Sequence, residues 1–127
     1  MKGSVGHFEL PADDVKRASA FYQKTFGWNI QPMPEMEYTM LGTTESNADG
    51  MPKDAGAING GMGKRGGVLK TTVVTIIVDS IDEAAKAIAK NGGKMSRKKE
   101  AIGPMGFTAY FVDTEGNTVG LFQPPTG

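Results

Sequence analysis

His7 and Glu9 are the residues whose types and spacing most directly suggest chemistry: an imidazole and a carboxylate two positions apart. On a strand, where side chains alternate, that spacing puts both on one face. His7 is the only histidine among 127 residues, and there is no cysteine. The lack of cysteine removes disulfides, thiolate nucleophiles, iron–sulfur clusters and cysteine-based zinc sites. One imidazole excludes a three-histidine zinc site and a triad of two histidines and a carboxylate within one chain. For His7 the choice lies between a hydrogen-bonded residue lining a cavity and a ligand to an ion shared with Glu9 and waters. For Glu9 it lies between a solvated or lysine-paired carboxylate at a sheet rim and a general acid or base, or an anchor for a cationic or hydroxylated ligand.

A second pattern, Gly61-Met62-Gly63-Lys64-Arg65-Gly66, has the spacing of a dinucleotide-binding glycine loop. That loop needs a strand before it and a helix after it, and strand-like sequence from Leu69 to Val78 follows instead. The segment reads as a mobile loop whose amides, with Lys64 and Arg65, could close over an anion. Met33, Met36, Met40, Met51 and Met62 accompany Trp28 and Tyr38; flexible thioethers suit either core filling or a cavity for apolar ligands.

The elements that must position these residues show themselves as an internal repeat. Shifting the chain by 66 residues lays Val5–Val15 over Thr71–Ile81, and Ala18, Lys24 and Gly27 over Ala84, Lys90 and Gly93, without a gap. Each copy reads as a strand, a cap, a helix and a glycine stop. Asp13 or Asp14 caps the first helix, with Val15, Ala18, Phe21, Tyr22 and Phe26 as its apolar stripe and Gly27 as its end. Asp79 or Ser80 caps the second, with Ile81, Ala84, Ala85 and Ile88, and Gly92-Gly93 ends it.

Strand-like segments follow each helix: Trp28–Gln31, Glu37–Leu41 and a closing strand near Ala57–Asn59, then Lys94–Arg97, Phe107–Val112 and Thr118–Gln123. Asp113–Asn117 is a hairpin turn. The expected fold is α+β: two βαβββ repeats, about 4–60 and 68–124, joined by a glycine-rich linker and forming one domain. Eight of the 18 glycines lie between Gly42 and Gly67.

His7–Asp14, Ala18, Phe21-Tyr22 and Phe26-Gly27-Trp28 resemble the opening strand and helix of the vicinal oxygen chelate superfamily, and Phe111–Asn117 with Gly120-Leu121 resembles its closing hairpin. This superfamily includes glyoxalase I, bleomycin-resistance proteins, extradiol dioxygenases and fosfomycin-resistance enzymes. The resemblance implies a cup-shaped, mostly antiparallel sheet with helices on its convex side. Alternation then sends Phe8, Leu10, Val74, Ile76, Val78, Val119 and Leu121 to the core, and His7, Glu9, Val73, Thr75, Thr118, Gly120 and Phe122 to the cavity.

In metal-dependent members, ligands sit at the places of His7, Val73, Gly120 and one residue of the first closing strand, here Asn59. Only His7 is a good donor, so the resemblance implies no family metal site and no cofactor, beyond an ion weakly shared by His7 and Glu9. The implied function is binding of a small, partly apolar or aromatic molecule by His7, Glu9, Trp28, Tyr38, Met40, Thr75 and Phe122. The alternative is a lyase, isomerase or epimerase acting on a small carbonyl compound, with Glu9 and His7 as acid-base groups or as metal ligands. The resemblance also implies a homodimer.

Composition agrees with these expectations. Hydrophobic residues are 39% and charged residues 22%, with 14 basic against 14 acidic side chains. The only dense basic run is Arg97-Lys98-Lys99, so a nucleic-acid partner is not expected. No apolar run approaches the ~18 residues of a membrane span, and Met1–Ser4 leads into patterned sequence without a signal core, so the expected location is cytoplasmic.

Overall fold

The computed structural model describes residues 3–48 and 51–125. Asp49 and Gly50 of the glycine-rich segment lie outside them. The chain divides into two compact units, one of His7–Thr72 and a second that combines, among the described residues, 3–6 with 73–125. The elements are β1 (Ser4–Ala12), α1 (Val15–Phe26), β2 (Asn29–Met33), β3 (Tyr38–Gly42) and β4 (Gly60–Lys64), followed by β5 (Val73–Ile77), α2 (Ile81–Lys90), β6 (Lys94–Ala101), β7 (Phe107–Val112) and β8 (Thr118–Gln123). The fold is α+β with a βαβββ order repeated twice.

Within the first unit the strands run β2-β3-β4-β1, and within the second β5-β8-β7-β6. In both, the first and last strands of the repeat pair in parallel and the other pairs are antiparallel. Glu9 faces Gly61 in one, and Thr75 faces Gly120 in the other. The 66-residue repeat maps Glu9 onto Thr75, so register and sequence repeat agree.

Each helix covers one face of its own sheet. Asp14 caps α1 by accepting from the Arg17 amide, and Ser80 caps α2 by accepting from the Glu83 amide. Gly27 closes α1 at φ 73°, a left-handed conformation that costs a residue with a Cβ about 1 kcal/mol or more. Against α1 lie Phe8, Leu10, Ile30, Leu41 and Met62, and against α2 lie Ile76, Val78, Ala109, Phe111 and Leu121. The two helices seat differently. Ile81 and Ala84 of α2 are buried, whereas no α1 side chain is, although Val15, Ala18 and Tyr22 touch the core.

Four expectations change. The first closing strand is Gly60–Lys64, not the stretch near 57–59, and most of the supposed mobile loop is therefore β4, held between β1 and β3. Three glycines in five residues give little intrinsic strand preference, so pairing on both sides makes this strand. Phe21 and Phe26 leave the helix stripe for the surface, 55% and 63% exposed, and Val74 is exposed as well. Met62 fills the core, while Met51 and Met36 lie at the surface. Among the described residues no helix is long and apolar enough to cross a membrane.

Candidate functional site

The first sheet carries its polar residues on the face away from α1. Phe8 and Leu10 go to the helix side, so alternation turns His7 and Glu9 the other way. Tyr38 and Met40 of β3 share that face because Leu41 is core. Register aligns Gln31, Met40, Gly61 and Glu9 in one row across β2, β3, β4 and β1.

Tyr38 starts two strands away from Glu9 and reaches it by crossing β4. A methyl group on Gly61 would overlap the Tyr38 ring and hydroxyl, and one on Gly63 would lie 3.8 Å from the ring's Cδ1. The two glycines therefore leave a trough in β4 that the tyrosine fills. At its far end the Tyr38 hydroxyl donates to Glu9 Oε2 at 2.7 Å and lies 3.1 Å from His7 Nε2. With the phenol proton directed at the carboxylate, the imidazole facing the same oxygen is the donor. Hydrogen bonds then run from His7 Nε2–H to Tyr38 and from Tyr38 to Glu9, leaving Nδ1 as the basic nitrogen.

Glu9 is only 7% exposed. A carboxylate so enclosed needs hydrogen-bond donors to offset its desolvation, and Tyr38 supplies one. Burial holds the His7 imidazole below its ordinary value of 6.5, against the opposing pull of the Glu9 charge. His7 is thus neutral at pH 7. A buried carboxylate, a phenol and a neutral imidazole in hydrogen-bonded contact can anchor a polar ligand group or move a proton.

The structure brings His7, Glu9, Tyr38 and Met40 to one face, but not Trp28. The indole stacks on Tyr22 at 4.7 Å and 8° and lies 5.9 Å from Phe8, so the α1 side of the sheet uses it for packing. In the second unit, Thr75 is buried and Phe122 half-buried on the face of their own sheet away from α2. There Thr75, Gly120, Tyr110 and Arg97 form a registered row, with the Arg97 guanidinium 5.8 Å from the Tyr110 ring centre. Sequence reasoning missed Arg97 in this setting and the role of Gly61. The signal for the latter was a Gly-x-Gly with strand sequence on either side.

The places of the family's metal ligands can now be fixed. Val73 is fully buried. The first-unit counterpart of Gly120 is Gly61, because each faces the matching residue of its opening strand. Asn59 is not that counterpart: its Oδ1 accepts from the Thr43 amide at 2.9 Å and its Nδ2 donates to Ser46 at 3.1 Å, which pins the preceding loop. Of the four places, only His7 offers a donor, and its Nε2 faces Tyr38. These residues do not fit a chelated ion. Among the described residues no three His, Asp or Glu side chains gather where they could hold one.

Comparison with known proteins agrees with this architecture. A family model described as bleomycin resistance protein-like N-terminal matches residues 5–44. A glyoxylase-like domain-containing protein of Didymella fabae is 32% identical over 129 aligned positions, covering 98% of this chain and 97% of that protein. Similar solved structures include a variant of Streptomyces coelicolor methylmalonyl-CoA epimerase in complex with 2-nitronate-propionyl-CoA, with TM-score 0.69, 14% identity and coverage of 99% and 100%. Another is a hypothetical protein of Bacillus halodurans C-125, with TM-score 0.65, 11% identity and coverage of 100% and 98%. At such identities the solved structures speak for the fold alone. Similarity along the whole chain, joined to two βαβββ units in matching register, shows that this chain is a glyoxalase-like member of the vicinal oxygen chelate superfamily.

Proposed function

We propose that the chain binds a small, partly apolar or aromatic molecule through the face carrying His7, Glu9, Tyr38 and Met40, without the chelated metal of its metal-dependent relatives. The observation that carries this reading is the Tyr38 phenol laid through the Gly61 trough onto a buried carboxylate. Tyr38 and Met40 supply apolar contact, and the Glu9 carboxylate with the His7 imidazole supplies polar anchors. Native mass spectrometry of the freshly purified protein tests the reading. A co-purified organic molecule is expected, on a homodimer as the resemblance implies; a stoichiometric, tightly held transition metal overturns it.

A second reading is favoured by the same hydrogen-bonded group. Glu9 takes a proton from the carbon beside a carbonyl and returns it, with Tyr38 and neutral His7 stabilising the charge on the carboxylate or on the substrate oxygen. The fold neighbours that are methylmalonyl-CoA epimerases support this class. Deuterium exchange into small carbonyl compounds tests it. Glu9→Gln is expected to abolish exchange while ligand affinity persists, and an unchanged rate removes Glu9 as the base.

A further inference from the structure

Away from the His7–Glu9 face, a cavity of about 480 Å³ opens under the first half of α1. Its lining combines the partly exposed apolar side chains of Leu10, Ala18 and Tyr22 with the charged groups of Arg17, Arg65, Lys70, Asp13 and Asp14. No α1 side chain is fully buried, in contrast to Ile81 and Ala84 of α2.

The mouth is braced. Arg65 Nε donates to Asp13 at 2.9 Å, its guanidinium also donates to the Lys70 carbonyl at 2.9 Å, and its amide donates to the Ala12 carbonyl at 3.0 Å. Gly66 and Leu69 exchange backbone hydrogen bonds at 3.0 and 2.9 Å. These contacts hold the connection after β4 against the end of β1 and give the opening a fixed rim. Arg65 neutralises Asp13, and the Asp14 carboxylate is turned to the Arg17 amide as the helix cap. Arg17 and Lys70 form no side-chain ion pair among the described residues. The lining therefore holds two cations without a side-chain ion pair, Arg17 and Lys70, against one remaining carboxylate. The volume lies within the ~300–1,000 Å³ of small-molecule pockets.

We propose that this cavity is a second binding site, for a small organic anion whose carboxylate or phosphate ester lies between Arg17 and Lys70 and whose short apolar body lies against Leu10, Ala18 and Tyr22. The proposal is independent of the reading of His7 and Glu9. An anion here gains charge-assisted contacts, and the apolar body displaces water from the exposed parts of Leu10, Ala18 and Tyr22.

Titration of the full chain with hexanoate, hexyl phosphate, hexanol and inorganic phosphate tests it, followed by backbone amide NMR and by the fluorescence of Trp28, which stacks on the cavity-lining Tyr22. Saturable shifts at Arg17, Ala18, Lys70 and Thr71 are expected with at least one of the two organic anions, and the tighter one names the headgroup. The double substitution Arg17→Met with Lys70→Met should weaken that binding about tenfold or more. Both residues are exposed, so this variant keeps the fold. Ala18→Leu, which fills the cavity, should abolish binding. The proposal is overturned if neither anion saturates, if hexanol or inorganic phosphate binds as tightly as the organic anions, if the double variant binds unchanged, or if the shifts fall on Glu9 and Tyr38 instead.

Discussion

At the scale of single residues, Tyr38 governs how the buried Glu9 carboxylate is satisfied. Tyr38→Phe removes a donor to an enclosed charge and should lower stability by about 1–3 kcal/mol in urea denaturation, more than an exposed hydroxyl would. His7 introduces a pH dependence whose sign follows from burial. Its folded pKa lies below the unfolded value, so the unfolded chain binds the proton first as pH falls. The stability that neutral His7 contributes is intact above 6.5, declines as pH falls from there, and is lost below the folded pKa. Thermal midpoints from about pH 8 to 5 should show this decline, and His7→Gln should flatten it. The pairing of His7 and Glu9 was legible because strand alternation is local. The Tyr38 contact was not, because it depends on which strand lies between β1 and β3.

At the scale of elements, β4 is the informative case. Its sequence reads as a loop, and it is a strand because β1 and β3 bond it on both edges and Met62 anchors it in the core. Gly61→Ala should push the Tyr38 ring out of its trough, destabilise the protein by about 1–3 kcal/mol, and shift the His7 ring resonances in NMR. An unchanged His7 spectrum would show that Tyr38 does not need the trough. The helices were easier to place from sequence. Asp14, Ser80 and Gly27 act through the nearest backbone amides and carbonyls, so capping is a property of a few consecutive residues. The aromatic stripe of α1 was misjudged for the complementary reason: helical spacing says which side chains share a face, and only the sheet's position says how far that face is covered. Phe21 and Phe26 fall beyond its edge.

At the scale of the whole molecule, two units of the same order differ in how firmly the helix is seated. Amides of α1 should exchange with solvent faster than those of α2, since Ile81 and Ala84 tie α2 to its core and no α1 side chain is comparably buried. Equal protection would contradict this difference in seating. The sequence by itself determined the twofold βαβββ order, the helix ends, the faces of β1 and the poverty of metal donors, because each depends on composition, on near neighbours or on a repeat visible along the chain. Tertiary structure alone decided that Gly61 stands opposite Glu9, that Tyr38 crosses to meet it, that Trp28 turns to the helix side, and that α1 leaves a cavity. Those features depend on register between strands distant in sequence and on the gap between layers, which side-chain volumes settle only when the layers meet.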